Sequence, residues 1–122
     1  MAYQEKLLNT KEYYPFANWR ESYGHGLEQY TPENCDLAKR VFDTLINELI
    51  TIGEAAPEPE KVKCFEIAIL ALNELNDEIY GLIETGERED LCELIDQITL
   101  AAGLDPADYA DGDGIADQWR DW

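Results

Sequence analysis

Basic residues are scarce in this chain and almost missing from its second half. None lies between Lys63 and Arg88, and none between Arg88 and Arg120. Residues 1–53 hold five Lys/Arg against eight Asp/Glu, whereas residues 54–122 hold four against nineteen. The formal net charge is −18 on 122 residues. Such a field repels phosphate, so direct binding to nucleic acid or to an anionic membrane surface is excluded by the sign of the ionic term. The same field attracts cations and basic macromolecules.

Further absences narrow the chemistry. The longest apolar stretch, around Ile67–Leu72, is too short to span a bilayer. No basic patch followed by an apolar run opens the chain, so no signal peptide is expected. The three cysteines (Cys35, Cys64 and Cys92) are odd in number and form no C-x-x-C pair. That pattern predicts reduced thiols in a cytoplasmic protein rather than a disulfide framework. Ser22 is the only serine and has no Gly-x-Ser-x-Gly elbow around it. The single histidine, His25, lies in a Gly-His-Gly loop, and no Glu-x-x-His motif exists for a di-metal site. A Cys35/His25 dyad is formally available, but Asp36 beside the thiol opposes a thiolate. With no phosphate-cradling Gly-rich loop either, the chain is expected not to be an enzyme.

What the sequence does contain is helical periodicity. Hydrophobic content of 45% is ordinary for a folded domain, and 122 residues suffice to bury a core, so a single domain over 1–122 is expected. Thr31-Pro32-Glu33 is an N-cap, a first-turn proline and a first-turn acid, and Leu37, Val41, Leu45, Leu49 and Ile52 then recur at helical spacing up to Gly53. A second long helix is predicted from about Glu60 to Leu82 or Ile83, with Phe65, Ile69, Leu72, Leu75, Ile79 and Leu82 inward. Its opposite side carries Glu66, Asn73, Asp77 and Glu84. Gly86 is read as a break. A third helix then places Leu91, Leu94, Ile95 and Ile98 inward and Glu89, Glu93 and Asp96 outward, ending at Gly103. No strand alternation and no internal repeat is present. The expected fold is all-α: a compact bundle of three main helices with an aromatic N-terminal arm and a short helical C-terminal tail.

Two segments admit a structural and a functional reading. The arm holds Tyr13, Tyr14, Phe16, Trp19, Tyr23 and Tyr30 in a stretch read as irregular after a short helical start. Its rings either close the end of the core or anchor a partner, since tyrosine and tryptophan bury large areas at low entropy cost. Trp119 and Trp122 pose the same choice, and docking of the tail into a groove is expected. The segment Tyr109–Arg120 resembles the calcium loops of EF-hand, dockerin and thrombospondin-type repeats, in which Asp111, Asp113 and Asp117 match ligand positions three, five and nine and Gly114 the turn glycine. Tyr109 and Arg120 stand where that pattern needs acids, so an acidic turn is the plainer reading.

Leu72-Asn73-Glu74-Leu75-Asn76-Asp77-Glu78, Ala102-Gly103-Leu104-Asp105 and the closing Arg120-Asp121-Trp122 together resemble an uncharacterised bacterial family of short, acidic, helical proteins. The resemblance covers residues 35–122 and implies a cytosolic bacterial protein with a helical fold and no catalytic residues. In size, acidity and helicity the chain is also similar to small immunity proteins, which neutralise nuclease toxins by covering a basic cleft with carboxylates.

The functional expectation is therefore an acidic binding protein for a basic protein partner, most simply an immunity protein against a nuclease-type toxin. Glu66, Asp77, Glu84, Glu89, Glu93 and Asp96 form the expected docking surface. One alternative is a calcium-binding module using Asp111, Asp113 and Asp117; no cofactor other than calcium is expected. The other is a nucleic-acid mimic from a mobile element that blocks a DNA-binding protein. An apolar strip on the first long helix serves a homodimer as readily as a monomer core, which leaves the oligomeric state open.

Overall fold

Local capping chemistry sets where each long helix begins and ends. The computed structural model describes residues 2–24, 26 and 29–122, with backbone only at 22 and 23. The Gly-His-Gly loop histidine, and with it the Cys35/His25 dyad, lies outside the described residues, as does the side chain of Ser22. The α-helices are α1 (Tyr3–Asn9), α2 (Phe16–Tyr23), α3 (Pro32–Ile52), α4 (Glu58–Glu78) and α5 (Thr85–Ala101), with 3-10 turns at Thr10–Tyr13, Pro106–Asp108, Ala110–Gly112 and Ile115–Gln118. The fold is all-α, and no strand occurs among the described residues.

Thr31 caps α3 as its sequence implies: the hydroxyl oxygen accepts the Asn34 N–H at 3.1 Å, and Pro32 takes the first helical position, where its missing N–H costs nothing. Gly53, at φ 86°, ends the helix. The inward face differs from the expected one. Cys35, Ala38, Phe42, Leu45, Ile46 and Leu49 are buried, whereas Leu37 is 41% exposed. The core face lies roughly a third of a turn round from the Leu37–Val41 line at about 100° per residue, because α3 packs on α2 as well as on α4.

Both ends of α4 depart from expectation. It starts two residues early, since Pro57 takes the N-cap and Pro59 fits the first turn. It stops at Glu78, where Ile79 turns extended and Gly81 adopts φ 74°. Three polar bonds stabilise that turn: Asn76 Oδ1 accepts the Ile83 N–H at 3.0 Å, Gln29 Nε2 donates to the Gly81 carbonyl at 3.1 Å, and the Tyr30 hydroxyl donates to the Leu82 carbonyl at 3.0 Å. Leu82 and Ile83 are buried, but from a turn. Gly86 does not interrupt α5; it falls in the first turn, after a capping box in which Glu84 and Glu87 satisfy each other's backbone N–H groups. At the far end Gly103 (φ 85°) completes a Schellman motif, with the Leu104 N–H on the Thr99 carbonyl and the Gly103 N–H on the Leu100 carbonyl, each at 3.0 Å.

The aromatic segment is more regular than expected. Pro15 initiates α2, its carbonyl accepting the Trp19 N–H at 3.0 Å. Tyr14, Phe16, Trp19, Tyr30 and Phe42 then form a chain of ring contacts, with centroids 5.2 to 6.4 Å apart. Phe16, Trp19 and Tyr30 are buried in the core, which is where that aromatic area is spent.

The short connection from α3 to α4 makes them an antiparallel, closely packed pair. α5 reaches this pair mainly through intermediaries: α1 and the Thr10–Tyr13 turn on one side, the Ile115–Gln118 turn on the other. The two ends of the chain thus separate the third long helix from the other two, and the buried side chains of all three meet in one cluster. Lys61 ties the near end together. Its ammonium donates to the Glu54 and Ala102 carbonyls, each at 2.8 Å, and stands 5.2 Å from the Tyr3 ring centroid.

Candidate functional site

In the N-terminal part, three bases pair with two acids: Lys11 and Lys39 converge on Asp43 at 3.5 and 2.9 Å, and Arg40 pairs with Asp36 at 2.8 Å. Burial pushes the Asp43 carboxyl up, but the hydrogen bonds from Lys39 and Tyr14 and the charges of Lys39 and Lys11 outweigh it and hold the group below the usual aspartate range. In the C-terminal part three of the four bases are occupied: Lys61 is buried, Lys63 pairs with Glu66 at 3.1 Å, and Arg120 pairs with Asp117 at 2.6 Å, while Arg88 on α5 makes no ion pair among the described residues.

The six carboxylates of the expected docking surface consequently separate into two groups. Glu66 is half-buried and neutralised by Lys63. Asp96 is half-buried against the tail, where a Cβ on Gly114 would come within 2.9 Å of its Oδ1. Burial, then the charge of Glu93, raises the Asp96 carboxyl above the usual aspartate value. Asp77, Glu84, Glu89 and Glu93 are exposed, and among the described residues no cation pairs with any of them. Glu89 and Glu93 lie one turn apart on α5. Glu84 is the N-cap of α5 rather than a member of an α4 stripe, because α4 has already ended.

Asn73, read as part of the solvated α4 face, holds the tail instead. Its Nδ2 donates to the Trp119 carbonyl at 2.9 Å, and its Oδ1 accepts the Asp121 N–H at 3.1 Å. The Ile115–Gln118 turn fills the space between α4 and α5, with Ile115 fully buried. Trp119 and Trp122 pack on the core, and the Arg120 guanidinium lies over the Trp122 ring. The signal for this docking was present in the two closing tryptophans. The wheel missed Glu74, Glu78 and Asp90, which are also exposed acids on α4 and α5; Asp90 Oδ2 accepts the Trp19 Nε1–H at 3.3 Å.

The calcium-like segment folds as two 3-10 turns. Ala110 and Asp111 both adopt left-handed φ, 51° and 54°, a costly conformation for side chains with a Cβ. The Asp117 carboxylate is held by Arg120. Asp111, Asp113 and Asp117 do not converge, and no group of three His, Cys, Asp or Glu suited to a metal ion occurs among the described residues. The thiols are not set up as nucleophiles: burial raises Cys35, Cys64 and Cys92 alike. Burial and then the hydrogen bond to Glu58, 2.7 Å from its hydroxyl, raise the Tyr109 phenol to about 12. No helix among the described residues is long and apolar enough to cross a membrane. No protein-family model, no curated protein and no solved structure matches this chain.

Proposed function

We propose that this chain is a binding protein that docks onto a basic protein partner through carboxylates at the C-terminal end of α4 and along α5, in the simplest case as an immunity protein covering the basic cleft of a nuclease-type toxin. One observation supports the reading most: Asp77, Glu84, Glu89 and Glu93 are exposed and have no ion-pair partner among the described residues. Self-repulsion among such groups opposes folding, and a basic surface relieves it on contact. The long-range field speeds encounter, and its reach of about 10 Å at 0.1 M salt makes association slow as salt rises. Glu66 and Asp96 contribute less to this surface, because each is already partly neutralised or covered.

A capture experiment at low ionic strength tests the reading. The chain is immobilised and exposed to proteins of its source cell beside the triple variant Asp77→Lys/Glu89→Lys/Glu93→Lys, which spares the capping residue Glu84. A basic partner retained by the native chain, released by ~0.5 M salt and lost with the triple variant supports the proposal. Retention of an acidic partner, or binding indifferent to salt and to the triple variant, counts against it.

A further inference from the structure

A mostly apolar groove lies between α3 and α4. It encloses about 390 Å³, and Leu37, Val41 and Leu45 of α3 face Cys64, Ile67 and Ala71 of α4 across it. Leu37 is 41% and Ile67 57% exposed, high values for such side chains. At about 100° per residue, the line of Cys64, Ile67 and Ala71 on α4 lies a little over a third of a turn from Glu66, Asn73 and Asp77, while Glu74 continues the groove line one turn beyond Ala71.

Its charge selects the occupant. In a chain of net −18, the only ionisable side chains lining the groove besides the Cys64 thiol are Arg40 and Glu48, one of each sign. A basic partner has no net attraction to this face. A second copy of the chain is repelled by most of the surface and least repelled here. Arg40 and Glu48 are eight residues apart on α3, about 12 Å along the axis, with Thr44 midway between them in the groove wall. A copy related by a two-fold axis near Thr44 sets each Arg40 opposite the other's Glu48 and each Ile67 strip against apolar surface. That is the self-complementary pattern of an isologous interface. Arg40 already pairs with Asp36, but that ion pair is exposed and weak, so the guanidinium is free to turn.

We infer that the α3–α4 groove is a homodimer interface, in which two copies pack α3 antiparallel on α3. The inference is independent of the partner proposed above, and its salt response is opposite. Screening the repulsion between two strongly acidic copies strengthens the dimer, whereas it weakens docking on a basic partner.

Sedimentation equilibrium on the full chain, with helicity checked by circular dichroism, tests this. The expected result is twice the chain mass at ~100 µM, with more dimer in ~0.5 M than in ~0.02 M sodium chloride. Ile67→Glu, at a site already exposed, is expected to give a folded monomer. Arg40→Glu should weaken the dimer by about tenfold or more, and Arg40→Glu/Glu48→Arg should restore most of the loss. A native chain that stays monomeric at high salt overturns the inference and leaves the groove to another occupant. So does an Ile67→Glu dimer as tight as the native one, or a double variant no better than Arg40→Glu.

Discussion

Replacing Lys61 by methionine removes an ammonium from the most concentrated polar contact in the core and keeps its aliphatic stem. The native side chain is 6% exposed and bonds two carbonyls at 2.8 Å, those of Glu54 and Ala102. These carbonyls close the C-terminal ends of α3 and α5, where helix dipoles favour a cation. In Lys61→Met the Ala102 carbonyl stays buried without its donor, at a cost of about 2 kcal/mol, while the Glu54 carbonyl, in an exposed loop, regains water at a cost of about 1 kcal/mol. The lost contact with the Tyr3 ring adds about 1 kcal/mol, and relief from desolvating the ammonium returns about as much. The net expectation is a loss of about 3 kcal/mol, or about 12 °C in thermal midpoint for a chain of this length. Urea titration followed by circular dichroism measures it, with the midpoint falling and the slope unchanged. A loss below about 1 kcal/mol would refute the reasoning, because it would mean that desolvation cancels both bonds.

Two further outcomes follow from the tail and from titration. Gly114 has φ 102°, and a Cβ there meets Asp96 Oδ1 at 2.9 Å; Gly114→Ala should therefore cost about 2 kcal/mol and loosen the tail. Tryptophan emission should shift to the red as Trp119 and Trp122 gain water, and an unchanged spectrum with native stability would contradict this. Asp96 and Asp43 should give opposite pH responses. The folded carboxyl of Asp96 is raised, so its ionised form opposes folding at neutral pH, and stability recovers as pH falls through that raised value. The folded carboxyl of Asp43 is lowered, so its contribution is present above the usual aspartate value and is lost as pH falls through its own lower value. Asp96→Asn should stabilise at pH 7 and lose that advantage near about pH 4, whereas Asp43→Asn should destabilise at pH 7 and less so in acid. Urea midpoints at the two pH values decide it, and parallel responses of the two variants would refute the assignment.

The parts of the fold legible beforehand are those controlled by neighbours in sequence. The Thr31-Pro32 start and the Gly53 and Gly103 stops occur where local chemistry places them, since each depends on hydrogen bonds within a few residues. Apolar spacing identified three long helices for the same reason. The end of α4 was not legible, because Leu82 and Ile83 keep the helical spacing while their backbone is turned by bonds from Gln29, Tyr30 and Asn76. Gly86 misled in the opposite sense: glycine at the first turn of a helix is harmless once a capping box precedes it.

The candidate surface divides along the same line. That acid outweighs base, and that most of the excess lies after residue 53, is a property of the sequence alone. So is the poor match of the Asp111–Asp117 segment to a calcium loop. Which carboxylates stay free was decided only in three dimensions. Glu66 is neutralised by Lys63, Asp117 by Arg120, and Asp96 is covered by a tail that Asn73 pins between α4 and α5. Periodicity reports that a helix has two faces, but a second apolar face, such as the Leu37–Ile67 groove, has the same spacing as a core. Only the packing of α1, α2 and the tail determined which face was covered and which was left open.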